Sequence, residues 1–188
     1  MDWPKRGHTL SNFKWRTDCA ETGVNVDSMA ELRLNNILSF QECYTDSGSH
    51  CYGCGSLNAE GLQIKSYWDG DETICTFEPA PYHTAFPGIV YGGLIASVID
   101  CHGTGSAAAA KMRADGQALE KGAAPKFVTA ALHVDYLKPT PLGPLHLRGV
   151  IVEIKGRKVT VDVTLQADGV TTAKGRVIAV EIPGEKLA

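Results

Sequence analysis

Asp100 is the most informative side chain of this 188-residue sequence, because it lies in the middle of a stretch that is otherwise small and apolar. From Gly92 to about Arg113, Leu94, Ile95, Val98 and Ile99 recur at helical spacing, and an Ala107–Ala110 run follows. The spacing predicts a buried helix, apolar almost all round. A carboxylate inside it is costly unless it is paired, hydrogen-bonded or used. Asp100 either makes a buried ion pair or hydroxyl hydrogen bond, or does chemistry, as a general base on water or as a nucleophile; the expectation taken here is chemistry. Gly92 and Gly93 fall at the start of the same helix, where free N–H groups and the helix dipole favour negative charge. A glycine there lets a substrate carbonyl approach the backbone, or simply allows tight packing.

Eight residues separate Gly92 from Asp100, about 12 Å along a helix. A carbonyl oxygen held at the first and a water activated by the second should be only a few ångströms apart. One helix cannot easily provide both, whereas two helices related by a two-fold axis can, with Gly92 of one chain facing Asp100 of the other.

The elements that must position these residues are mostly strands. Leu62–Trp68 and Glu72–Glu78 flank an Asp69-Gly70 turn, and Pro79–Pro87 reads as a loop. After the helix, Val128 to Tyr136 alternate until Pro139, Pro141 and Pro144 stop the strand; on alternation alone Thr129 shares a face with His133 and Asp135. Leu145–Ile154 and Lys158–Ala167 join through Lys155-Gly156-Arg157, and Val170–Ile182 follows Asp168-Gly169. The expected order is β-β-α-β-β-β-β, with four hairpin-linked strands after the helix. A lone apolar helix needs the antiparallel sheet to wrap it, which makes an α+β layer fold. Residues 1–50 are expected to be an extension, with a short helix signalled by the capping-box spacing of Ser28-Met29-Ala30-Glu31 before Leu32, Leu34, Ile37 and Leu38; residues 51–188 form the domain.

The bulk composition sets the boundaries. Apolar residues make up 44%, and the net charge is −3 without a large charged block, so neither a membrane span nor a nucleic-acid footprint is expected. The N-terminus lacks the apolar stretch of a signal peptide. Six cysteines without that signal suggest reduced thiols and a cytoplasmic location.

Pro87-Gly88-Ile89-Val90-Tyr91-Gly92-Gly93, followed by Ile95-Ala96-Ser97-Val98-Ile99-Asp100, resembles the signature of hotdog-fold thioesterases of the 4-hydroxybenzoyl-CoA and PaaI types. Cys51-Tyr52-Gly53-Cys54-Gly55…Asn58…Gly61-Leu62 is similar to the opening of one branch, and Val134–Pro139 and Gly156-Arg157-Lys158 also fit. The resemblance covers about residues 50–183. It implies an antiparallel sheet wrapped around one long helix, a homodimer or dimer of dimers, and hydrolysis of an acyl-CoA thioester with no cofactor beyond the CoA of the substrate. It also implies a shared site, with Gly92 and Asp100 in the roles above and Thr129 where the family has a Ser or Thr that orients the water. Tyr91 stands where the family has His, and Ala85 where some members have Asn; in members these side chains help hold the thioester.

Several residues keep two readings. Gly156, Arg157 and Lys158 either bind CoA phosphates or form a solvated hairpin tip, with Lys138 a weaker phosphate candidate. His83 either lines the acyl site or is a solvated loop residue, and His102 is expected to pack or hydrogen-bond. Phe86, Trp68, Tyr82 and Tyr136 either line an apolar pocket or are core. The Cys51/Cys54 pair has zinc spacing, with Cys43 and His50 near enough to add ligands, but the resemblance implies no metal. The competing functions are a non-catalytic acyl-CoA-binding hotdog protein and a hotdog dehydratase or hydratase. The latter would need a Glu where Leu94 stands.

Overall fold

The computed structural model of the chain describes residues 38–183. The helix expected around residues 28–38 lies outside them but for its last position. Strands β1 (Tyr67–Asp69) and β2 (Glu72–Phe77) come first, then a short ribbon of β3 (Thr84–Phe86) and β4 (Ile89–Val90). The long helix α1 (Gly92–Ala114) is followed by β5 (Phe127–Tyr136), β6 (Leu145–Lys155), β7 (Lys158–Ala167) and β8 (Val170–Glu181). Six strands form one antiparallel sheet in the order β1-β2-β6-β7-β8-β5, and α1 packs across β5 to β8.

The alternation of Val159, Val161, Val163 and Leu165 puts these side chains on the helix-facing side of β7, all essentially inaccessible. Each such burial contributes about 1.5–3 kcal/mol. Facing them, Ile95, Val98 and Ile99 of α1 are equally buried.

Three expectations need correction. The segment read as a strand over Leu62–Trp68 is mostly irregular; only Tyr67 and Trp68 pair with β2, because Gln63 sits at positive φ (55°) and its side-chain amide bonds the Gly55 and Asn58 carbonyls instead. The loop over Pro79–Pro87 contains β3, which folds back on β4. Finally, β5 is not hairpin-linked to β6: it pairs with β8, on the other side of β7. The three prolines after Tyr136 carry the chain across to β6, so of the four strands after the helix only β6, β7 and β8 are linked by tight turns, and β5 is the last strand of the sheet among the described residues.

Among the described residues the wrapping is also incomplete. Gly93, Ala96, Ser97, Asp100 and Thr104 are only partly buried and lie along one stripe of α1. Opposite that stripe the helix sits close to the sheet. A Cβ on Gly103 would lie 2.4 Å from Val177 Cγ2 and 2.7 Å from its Cβ, and one on Gly175 would lie 2.3 Å from Ile99 Cγ2. Residues 38–50 pack on the helix as well. Phe40–Cys43 is a turn of 3-10 helix capped by Ser39 and Glu42, and the buried Gln41 bonds Ser66 through both its amide atoms.

Gly103→Ala tests the closeness of that approach. Alanine favours the helix by about 1 kcal/mol, but overpacking against a β-branched side chain costs about 1–3 kcal/mol. Urea unfolding should therefore show a net loss, and Val177→Ala added to Gly103→Ala should cost less than the sum of the two single changes. Simple additivity would show that the contact is not tight.

Candidate active site

Asp100 lies on that partly buried stripe of α1, and Thr129 of β5 donates a hydrogen bond from Oγ1 to Asp100 Oδ1 at 2.6 Å. Thr129 Oγ1 is also 3.0 Å from Thr104 Oγ1, one turn further along the helix. Burial raises the Asp100 carboxyl above its ordinary value, opposed by the Thr129 hydrogen bond. Asp100 is therefore a stronger base than a solvated aspartate once it is ionised.

Thr129 reaches Asp100 because β5 is irregular. The register against β8 shifts between Thr129 and Ala131: Thr129 faces Ala179, and Leu132 faces Val177. The extra residue reverses the parity of the strand, as a β-bulge does. Thr129 therefore turns towards the helix, while His133 and Asp135 point to the outer face, 3.1 Å from one another. The expectation from alternation, that the three share a face, is corrected on this ground.

Asp100, Thr104 and Thr129 open into a cavity of about 400 Å³, walled also by Tyr44, Cys51, Cys54, Cys101, Lys126, Phe127 and Val128. Among the aromatic pocket candidates, Phe86, Tyr82 and Tyr136 are exposed. Trp68 is elsewhere, packed by Phe40 and covered by the Arg113 guanidinium 3.4 Å from its ring. None of the four lines this cavity.

The other half of the expected chemistry sits at the start of α1. Tyr91 is the N-cap residue and makes no side-chain capping bond; its carbonyl accepts the Leu94 and Ile95 N–H groups. The Gly92 and Gly93 N–H groups lack intrahelical acceptors by the geometry of a helix start. The Tyr91 ring lies over Gly93, where a Cβ would be 2.4 Å from it, and Tyr136 donates from its hydroxyl to the Gly92 carbonyl at 2.8 Å. Gly92, Tyr136 and Lys138 line a second, shallower hollow of about 290 Å³. Gly92 and Asp100 of one chain thus open into different hollows. His83 is tied to its own turn, Nδ1 accepting from the Ala80 N–H at 3.0 Å, while its carbonyl accepts the Tyr91 N–H.

Gly156, at positive φ (59°), and Arg157 form the β6–β7 turn. The Arg157 carbonyl accepts the Glu181 N–H, and Glu181 pairs with Phe127 at the wall of the Asp100 cavity. Lys158 lies 3.7 Å from Glu153 in an exposed ion pair. His102 is fully buried, with Nδ1 2.9 Å from Ser66 Oγ and Nε2 3.3 Å from Thr73 Oγ1; burial lowers its pKa to about 3, so it is a neutral packing residue.

Sequence reasoning missed Thr104, Lys126 and Cys101. Thr104 was available from the i, i+4 spacing to Asp100. Cys101 could be found only from the fold, which sets its sulfur 3.9 Å from that of Cys51. Cys101 and Cys54, with the Gly53 and Cys54 N–H groups, hydrogen-bond the Cys51 sulfur and hold that thiol far below its ordinary range. Cys43, the ligand suggested by sequence proximity, is buried elsewhere, against Met112 and Ala124.

A six-stranded antiparallel sheet curved around one long helix is the hotdog fold. Residues 87–174 match the family model of the thioesterase superfamily. A thioesterase superfamily protein from Shewanella loihica PV-4 is 51% identical, with 73% of this chain and 98% of that one covered and a TM-score of 0.57. The acyl-coenzyme A thioesterases THEM4 of Xenopus laevis and Rattus norvegicus are 38% and 32% identical over 87 and 95 residues. Those matches span 46% and 50% of this chain but only 33% and 35% of the relatives, about a third of their length. The chain belongs to the thioesterase superfamily.

The raised carboxyl of Asp100 predicts how stability varies with pH. The native chain holds this proton to higher pH than the unfolded chain, so Asp100 costs stability as pH rises from the ordinary carboxylate range, about 4, through its native pKa. Asn carries no such cost and can still accept from Thr129. In urea unfolding, Asp100→Asn should gain on the parent chain between about pH 4 and pH 7. A constant or shrinking difference would show that Asp100 is not penalised by burial.

Proposed function

We propose that the chain hydrolyses acyl-CoA thioesters to free acid and CoA. The observation that carries this reading is the Asp100 carboxylate, held by Thr129 at a half-buried cavity on the same helix whose N-terminus presents Gly92 and Gly93. Asp100 either takes a proton from the attacking water or attacks the thioester carbonyl itself. The Gly92 N–H, with Gly93 beside it, stabilises the oxyanion that develops. The THEM4 relatives, named as acyl-coenzyme A thioesterases, support the substrate class. Tyr91 takes the place of the family's His, next to the carbonyl site, and the His83 carbonyl accepts its N–H.

The adenosine phosphates of CoA are assigned to Arg157 and Lys158 on the Gly156 turn, which is joined through Glu181 to Phe127 at the cavity wall. An acyl-CoA panel from acetyl to long-chain and aromatic esters, read by thiol release, tests the activity. Asp100→Ala should lower turnover about 10²–10⁴-fold with every accepted ester. Near-parental turnover with any good substrate would remove Asp100 from the mechanism.

The working unit is a dimer. Among the described residues β5 is the last strand of the sheet, with Val128, Leu132 and Tyr136 exposed along it. Its Thr129 end adjoins Asp100 and its Tyr136 end adjoins Gly92. Antiparallel pairing of two β5 edges about a two-fold axis near Leu132 sets the Gly92 end of each chain beside the Asp100 end of the other. The same pairing covers the partly buried stripe of α1. Each site then takes its oxyanion donor from one chain and its carboxylate from the other, which removes the difficulty of the roughly 12 Å spacing within one helix.

Subunit mixing tests this arrangement. Asp100→Ala and Gly92→Pro should each be inactive alone. Mixed under conditions of exchange, they should give heterodimers with one doubly lesioned site and one intact site, recovering about half of parental activity per heterodimer. No recovery despite demonstrated exchange, or full activity from a monomer, would overturn the shared site.

A further inference from the structure

The Cys51, Cys54 and Cys101 sulfurs lie within 4.8 Å of one another, on the wall of the cavity that holds Asp100. We propose that these three sulfurs form a binding site for a thiophilic d10 cation, zinc(II) being the ion tested first. In a tetrahedral zinc–thiolate site, Zn–S bonds of about 2.3 Å place the sulfurs about 3.8 Å apart. Cys51 and Cys101 already stand at 3.9 Å. Bringing the remaining pairs to that spacing takes side-chain movements on the order of 1 Å.

The loop is shaped around the sulfurs. Cys51 to Cys54 make a tight turn closed by the Gly55 N–H on the Cys51 carbonyl at 2.8 Å. Gly53 has no alternative: a Cβ there would lie 2.2 Å from Cys101 Sγ. Gly55 is equally confined, since its Cβ would lie 2.4 Å from the Ser49 carbonyl oxygen and 2.5 Å from the Cys51 nitrogen. Two glycines thus let the loop lay two sulfurs against a third on α1. Cys43 and Cys75, also buried, are not part of the cluster.

Three protein ligands leave a fourth position, and the cavity beside the cluster gives water access to it. Each thiol that ligates gives its proton to solvent, so that Zn²⁺ and three thiols become a Zn(SR)₃⁻ centre and three H⁺. The bound ion would fasten the Cys51–Cys54 loop to α1 one residue from Asp100, fixing one wall of the cavity. The resemblance to other thioesterases implied no metal for this pair; the third sulfur from the helix is what revises that expectation. The proposal does not rest on the hydrolytic reading, and metal content tests it separately.

The whole chain is purified under reducing conditions without chelators, and its metal content is measured by mass spectrometry. A chelator-stripped sample is then titrated with Zn²⁺, and separately with Cu⁺, against a chromophoric competitor, and with Co²⁺ for thiolate-to-metal charge transfer. About one ion per chain is expected, with the charge-transfer band of a three-thiolate site. Cys51→Ser should weaken binding more than about tenfold, and so should Cys101→Ser. Cys43→Ser should bind like the parent. Because Cys51 is exposed, its substitution spares the core even if Cys101→Ser misfolds. Tight binding of Cu⁺ in place of Zn²⁺, lost in the same variants, supports the site as one for a thiophilic ion. Failure to compete for either ion, unchanged binding in folded Cys51→Ser, or a Cys51–Cys101 disulfide whose reduced form takes up no ion would overturn it.

Discussion

The close seat of α1 on the sheet depends on side chains that are missing. Gly103 of the helix meets Val177, and Gly175 of β8 meets Ile99, at distances that leave no room for a methyl group. That contact fixes the rotation of the helix about its own axis. With Ile95, Val98 and Ile99 turned inward, Asp100 must fall on the margin of the packed face, and Thr104 one turn beyond it. The carboxylate is therefore half-buried for a geometric reason: it is as close to the core as a charged group can be while still meeting a cavity.

The second determinant is the irregularity in β5. A regular strand would send Thr129 to the outer face with His133 and leave the Asp100 carboxylate without its hydroxyl donor. One inserted residue turns Thr129 inward and leaves the rest of the edge strand regular. The strand thereby links the two hollows, with Thr129 at one end bonded to Asp100 and Tyr136 at the other bonded to the Gly92 carbonyl. In the proposed dimer a two-fold operation on that edge would combine the complementary halves.

Much of this was legible in the residues. Helical spacing with an aspartate in an apolar run marked α1 and Asp100, and period-two valines marked β7, because both patterns report burial directly. The register shift at Ala130 was not legible, since alanine fits either face and the shift is defined only against β8. The crossover from β5 to β6 was hidden for a related reason: prolines announce the end of a strand but not which neighbour the chain pairs with next. Cys101 looked like an ordinary apolar helix residue, and its partners lie some fifty positions earlier. Its proximity to Cys51 and Cys54 is a property of the fold alone.

The half-burial of Asp100 also explains why Thr129 matters more than an ordinary strand hydroxyl. Burial disfavours the ionised carboxylate, and a single strong hydroxyl donor at 2.6 Å offsets part of that cost without neutralising the charge. A cationic partner in the same place would stabilise the carboxylate further but would lower its basicity, leaving it poorly suited to accept a proton from water. Among the described residues the groups around Asp100 are instead hydroxyls, thiols and the Lys126 segment at the cavity wall. Burial thus raises the affinity of the carboxyl for its proton while the Thr129 hydroxyl opposes that shift, the balance on which the proposed role of Asp100 depends.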